Sequence, residues 1–287
     1  MTDVVRDVLF VISGLATGLL SALFGVGGAV LAQPAILALG VPALNAVSTT
    51  LPTIIPGALT GTIRYSRAGL IDRRVVAWTV PFGIVASVLG SFLSRQVPGD
   101  GHLLTLATAG LLGFTTWRIA RTAWRSPPPT DGLAETDVEM AGAADRTSEP
   151  EPPSEPDPSP EPDPSPVSMA LIGLGAGLLS GLLGVGGGVV LVPAFSEILR
   201  LPLKKGIATS LTCVGLFAIP GTITHAALGG IYWKVVLLLS VGIVPGAWLG
   251  SKIVLVARER RLRLAVAGFL GVIAVLYAAG EIVALLR

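Results

Sequence analysis

The segment Gly18–Pro34, GLLSALFGVGGAVLAQP, returns at Gly177–Pro193 as GLLSGLLGVGGGVVLVP, and no other feature limits the fold so tightly. A glycine cluster inside an apolar run removes side chains and weakens helix propensity where a membrane segment is normally most regular. Each copy is therefore expected to be a helix broken within the membrane. Hydrophobic residues make up 52% of the chain and charged residues 13%, and both halves hold apolar stretches long enough to cross a hydrocarbon core of ~30 Å. The chain reads as an all-α polytopic membrane protein.

Taken in order, Val8–Leu39 would be about 48 Å long as one straight helix, well beyond the bilayer core. Two half-helices meeting at Gly25-Val26-Gly27-Gly28 fit better. Ala43–Ile63 opens with Asn45, Ser48, Thr49 and Thr50 and is interrupted by Pro52 and Pro56, polarity that suits a cavity wall. Val75–Leu93 and Leu103–Trp117 read as two further spans. The second half repeats this plan at an offset of about 160 residues: Leu171–Leu199 is broken, Ile207–Leu228 carries Thr209, Ser210, Thr212 and Pro220, and Val235–Val256 and Leu262–Leu286 follow. Leu89-Gly90-Ser91 is matched by Leu249-Gly250-Ser251. The start, MTDVVRDVLFVISG, lacks a basic region and a small-residue cleavage site, so it is expected to belong to the mature chain.

Between the halves, residues 127–166 hold 12 of the 22 prolines, and 11 of the 18 acidic residues fall between Asp131 and Asp163. Such a stretch cannot bury enough apolar surface to offset ordering, so it is expected to be a disordered, partly polyproline-extended spacer. The formal net charge of +2 thus averages an acidic insert with a basic membrane domain. Three regions result: a first membrane repeat at 1–126, the linker at 127–166 and a second membrane repeat at 167–287.

Lys and Arg decide how the repeats insert, because cytoplasmic loops are enriched in them. If each broken segment crosses once, the repeats are parallel and the basic residues outside the linker divide ten against nine, with no bias. If each broken segment returns to the side it came from, the second repeat is inverted. One face then carries fifteen, including Arg64, Arg67, Arg73, Arg74, Lys204, Lys205, Lys252 and Arg258, and the other keeps Arg6, Arg95, Lys234 and Arg287. The expectation is two inverted-topology repeats, each a broken re-entrant helical hairpin plus three transmembrane helices, with both termini outside and the linker in the cytoplasm.

Inverted repeats with broken helices are a transporter plan in which the substrate lies near the midplane. A half-helix restarting at Gly25, Gly27 and Gly28, and its mate at Gly184, Gly186, Gly187 and Gly188, would present amide groups and positive dipole ends to an anion. The hydroxyls of Ser48, Thr49, Thr50, Thr209, Ser210 and Thr212 would complete the shell without a fixed charge, and Gln33 would add an uncharged ligand; its matching residue is Val192. Glycines in membrane helices also serve close packing, the reading favoured for Gly14–Gly18 and Gly173–Gly177, and Ser and Thr also bond back to their own helix. Glu197, Glu281 and His225 fall near span ends, where polar groups reach the interface; His225 is the candidate proton-linked group. Cys213 lies in an apolar run as a packing residue.

At these residues the chain resembles the sulfite exporter TauE/SafE family of membrane permeases, through the doubled glycine motif followed by NAVSTTLP and KKGIATSLT. The resemblance covers both membrane halves and excludes the linker. It implies transport of sulfite, sulfoacetate or a related small sulfur-containing anion, usually outward, across a prokaryotic plasma membrane. The partners expected are that anion and the lipid bilayer, with no nucleic acid, cofactor or metal. The chain has two histidines in different halves and no HExxH or GxSxG motif, so an enzyme is not expected. A channel-like uniporter of another anion, and a receptor or scaffold built on the linker, are the alternatives; the second requires that deletion of 131–166 abolish function.

Overall fold

The computed structural model describes residues 3–94, 165–183, 187–227 and 229–259, together with Gly110 and scattered positions between 261 and 275. The linker up to residue 164, the expected span Leu103–Trp117 apart from Gly110, much of Leu262–Leu286, Gly184, Gly186 and Glu281 lie outside the described residues. The chain runs α1 Asp3–Phe24, α2 Ala29–Ala38, α3 Ala43–Arg67, α4 Arg73–Ser94, α5 Pro166–Leu183, α6 Gly188–Pro193 with a π turn at Ala194–Ile198, α7 Leu203–Ala227 and α8 Trp233–Val256. Among the described residues, four helices, α1, α4, α7 and α8, are long and apolar enough to cross a membrane.

The breaks fall where the glycines are, but they do not halve the segments. α1 has 22 residues and α2 only 10, because the glycine cluster lies far along the apolar run. α3 is a single helix, as expected of this span, and is continuous through Pro52 and Pro56. Each proline leaves the carbonyl four residues earlier, Ser48 and Pro52, without its helical donor, and Thr60 Oγ1 bonds back to the Pro56 carbonyl at 2.8 Å.

Small residues set the packing. In lipid, helices gain nothing from hiding apolar surface and associate by close backbone contact. An added Cβ at Gly18 of α1 would lie 2.7 Å from the Ile243 Cα of α8, and one at Gly177 of α5 would lie 2.6 Å from the Gly83 Cα of α4. Gly14 lies against Leu239 and Gly173 against Thr79 in the same register. Numbers rise together in both pairs, so α1 runs parallel to α8 and α4 parallel to α5. The first helix of each half thus packs on the fourth helix of the other.

α3 and α7 run antiparallel through the centre, since Ser48 meets His225, Leu51 meets Gly221, and Thr62 meets Thr212. α3 also lies on α8 and α4 on α7, which gives two three-helix groups, α1/α3/α8 and α4/α5/α7, joined along the α3–α7 seam. Outward faces are apolar: Val85, Leu89 and Phe92 of α4 and Leu237, Val241 and Trp248 of α8 are exposed, as a lipid-facing surface requires.

The helix directions sort the charges. One end of the bundle gathers Arg64, Arg67, Arg73, Arg74, Lys204, Lys205, Lys252 and Arg258, and the other carries Arg6 and Lys234. At the cation-rich end Arg64 donates to the Trp248 carbonyl at 3.2 Å and lies 4.8 Å over its ring, and Glu259 accepts the Leu203 N–H at 2.9 Å. At the other end Lys234 pairs with Asp7 at 2.8 Å.

Candidate functional site

α1 ends in a tight turn. Gly25, Gly27 and Gly28 have φ of +67°, +72° and +26°, a region L side chains rarely occupy, so the turn demands glycine. The Gly25 N–H donates to the Ser21 carbonyl at 2.9 Å, the Ala29 N–H donates to Gly27, and the Ala32 N–H donates to Gly28 at 2.9 Å as α2 begins. The second turn is built alike: Gly187 has φ +68°, and its carbonyl accepts the Val190 and Leu191 N–H groups at 3.1 Å as α6 begins. Thr17 and Ser21 flank Gly28 as Ala176 and Ser180 flank Gly187.

The two turns touch. A Cβ on Gly188 would lie 2.5 Å from the Gly25 carbonyl oxygen and 2.6 Å from the Val26 Cα, and one on Gly25 would lie 2.7 Å from the Ile207 oxygen. Gly27 faces Val214 and Ile54, which stand halfway along α7 and α3, so this junction lies in the middle of the bundle. Ser210 ties it to α7, its Oγ donating to the Gly25 carbonyl at 2.8 Å.

The other expected ligands divide between the centre and the ends. Thr50 is fully buried and its carbonyl accepts from Thr53 Oγ1 at 2.6 Å. Gln33 lies one turn into α2 between the buried Ala29, Ala32 and Ile36, and its Oε1 is buried with no hydrogen-bond partner among the described residues. A buried polar atom of that kind wants a water or a ligand. Thr49 and Thr209 are placed differently: each accepts a backbone N–H from a loop of the opposite half, Tyr232 at 3.2 Å and Asp72 at 3.1 Å. Ser48 bonds His225 Nδ1 at 3.0 Å at the cation-poor end, and Thr212 bonds Thr62 at 3.2 Å. The structure therefore brings Gly25, Gly27, Gly28, Gly187, Gly188 and Ser210 to one junction and sends Ser48, Thr49, Thr209 and His225 toward the two ends.

Two residues that pack on the first turn are not marked as doing so in sequence. Val192 and Val214 pack on Gly25 and Gly27, and ordinary valines in an apolar run carry no signal. Thr222 has a buried Oγ1 without a partner among the described residues; it lies two residues after Pro220, the proline noted in that span. Among the described residues no group of three or more His, Cys, Asp or Glu side chains could hold a metal ion.

An apolar-faced bundle whose central helices are flanked by two glycine-broken hairpins meeting at mid-depth is a multi-pass membrane protein built as transporters are. The profile of the sulfite exporter TauE/SafE family matches residues 10–277, and the chain belongs to that family of membrane transporters. It is 25% identical over 255 residues to "Probable membrane transporter protein YunE" of Bacillus subtilis (strain 168), covering 86% of each chain. It is 24% identical over 281 residues, 92% of each chain, to "Probable membrane transporter protein MJ0441" of Methanocaldococcus jannaschii. Against "Probable membrane transporter protein MamO" of Paramagnetospirillum magneticum identity is 29% over 264 residues, 86% of this chain but 40% of that protein. No solved structure matches the chain. Family membership makes this a transporter, not an enzyme.

Proposed function

We propose that the chain carries a sulfur oxyanion or sulfonate, such as sulfite or sulfoacetate, outward across a prokaryotic plasma membrane by alternating access between inverted repeats 1–126 and 167–287. The observation that carries this reading is the contact of the two glycine turns at mid-bundle, Gly188 against Gly25 and Val26. Broken backbone at that depth belongs at a cavity or a buried junction, and helix starts there favour negative charge. Gln33, Thr50 and Ser210 would add neutral groups to the turns Gly25–Gly28 and Gly184–Gly188, while Ser48, Thr49, Thr209 and Thr212 would hold the parts that open and close. The family description supports the substrate class.

The antiparallel run of α3 against α7 supports inversion, as does the gathering of cations at one end, which by the positive-inside rule faces the cytoplasm together with the linker. A flux panel in proteoliposomes with sulfite, sulfate, thiosulfate, sulfoacetate and a carboxylate control tests the reading. Movement of a sulfur anion, lost in Gly27→Leu or Gly187→Leu while the protein still inserts, is the expected result. Normal flux in both variants removes the glycine-turn site, and absence of counterflow stimulation would make the protein a channel.

A further inference from the structure

The cation-poor end is bridged across the α3–α7 seam by side chains most of which have no equivalent at the opposite end. There Ser48 Oγ meets His225 Nδ1 at 3.0 Å, Asn45 Nδ2 donates to the Gly230 carbonyl at 3.0 Å, and Thr49 accepts from Tyr232 N–H. By the internal repeat, Asn45 corresponds to Lys205, Ser48 to Ala208, Thr49 to Thr209 and His225 to Tyr65. Only the threonine contact is kept at the cation-rich end, where Thr209 accepts from Asp72. Tyr65 turns instead to its own half, donating to the Ala22 carbonyl at 2.7 Å.

Divergence at three of four corresponding positions has put one titratable bond across the seam, and histidine is the side chain whose charge ordinarily changes between pH 5 and 8. We propose that His225 is a proton-binding site whose occupancy unlatches α3 from α7 at the cation-poor end, coupling proton binding to opening of the transporter there. The proposal rests on the reading that the protein works by alternating access.

Chemistry sets the direction. Ser48 Oγ can donate or accept, so in either tautomer the protonated ring still bonds it, with Nδ1–H as donor. What the proton adds is a cation in a partly buried seam, and parting α3 from α7 admits the water that hydrates it. Among the described residues, the charged and titratable groups at this end are Asp3, Arg6 and Asp7 of α1 and Tyr232 and Lys234 at the start of α8, with Asp7 and Lys234 paired to each other. The side chains of α3 that bridge this end, Asn45, Ser48 and Thr49, carry no charge.

Spin labels on Ala38→Cys and Ala227→Cys, exposed residues ending α2 and α7 on either side of the seam, read the opening directly in reconstituted protein. Cys213 is fully buried and does not compete for label. The expected result is a longer-distance population growing as the pH falls from 8 to 5.5, on the order of tenfold in the open-to-closed ratio, the response to a one-unit difference in proton affinity between the two states. His225→Gln should abolish the pH response, and Ser48→Ala should raise the open population already at pH 8. Distances that do not change with pH, a closing on acidification, or an unaltered response in His225→Gln would overturn the proposal. Should His225→Gln fail to fold, a Ser48→Ala population identical to the parent at pH 8 overturns it as well. No substrate is present, so this outcome is separate from that of the flux panel.

Discussion

Gly188→Ala isolates the contact between the two turns. Gly188 is the first residue of α6 and its φ is not positive, so alanine meets no backbone strain there, unlike at Gly25 or Gly187. The new Cβ would lie 2.5 Å from the Gly25 oxygen and 2.6 Å from the Val26 Cα, against an ordinary contact of 3.4–4 Å. Both obstacles are backbone, so no rotamer change relieves them and the turns must part by roughly 1 Å. Overpacking of this kind costs about 1–3 kcal/mol. If the cost falls on the substrate-loaded state, apparent affinity drops by about 5–150-fold. The assay is concentration-dependent anion flux in proteoliposomes, paired with a thermal-unfolding midpoint in detergent. Gly175→Ala is the control, because Gly175 is an exposed helical glycine with nothing within 4 Å of an added Cβ, and alanine there should leave flux unchanged and raise helix stability by up to about 1 kcal/mol. Half-saturation in Gly188→Ala equal to that of the parent would refute the argument that the two turns must touch for the anion to be held.

Further outcomes follow from the same geometry. A membrane-impermeant thiol reagent applied to intact cells should label Ala227→Cys and spare Ala68→Cys, since these exposed residues end α7 and α3 at opposite ends of the bundle; equal labelling of both would rule out inverted repeats. Gly18→Ile should drive α1 off α8, because its Cβ alone would sit 2.7 Å from the Ile243 Cα; loss of the folded species in size-exclusion chromatography is expected, and a normal profile would refute backbone-to-backbone packing. Asp72→Ala removes the carboxylate that accepts the Arg74 and Val75 N–H groups at 3.0 and 3.1 Å; a loss of about 0.5–2 kcal/mol is expected for such a cap, read as a lowered unfolding midpoint with flux retained.

Much of the architecture is legible in the residues because membranes leave few choices. Apolar length predicts the spans, and the observed limits of α4, α7 and α8 lie within a few residues of expectation. Doubled glycines predict both breaks, since positive φ at Gly25, Gly27 and Gly28 in the first and at Gly187 in the second admits little else. What periodicity and motif cannot reveal is which hydroxyl faces which partner. Thr49 and Ser210 sit in look-alike polar runs, yet Thr49 holds a distant loop and Ser210 grips the first turn. That difference depends on how the halves exchange helices, a long-range fact with no local signature.

Because α1 lies on α8 and α4 on α5, the border between the duplicated halves and the border along which the molecule can part are different lines. If transport rocks the molecule along the α3–α7 seam, each moving body contains material from both copies, and neither copy alone is a complete moving part.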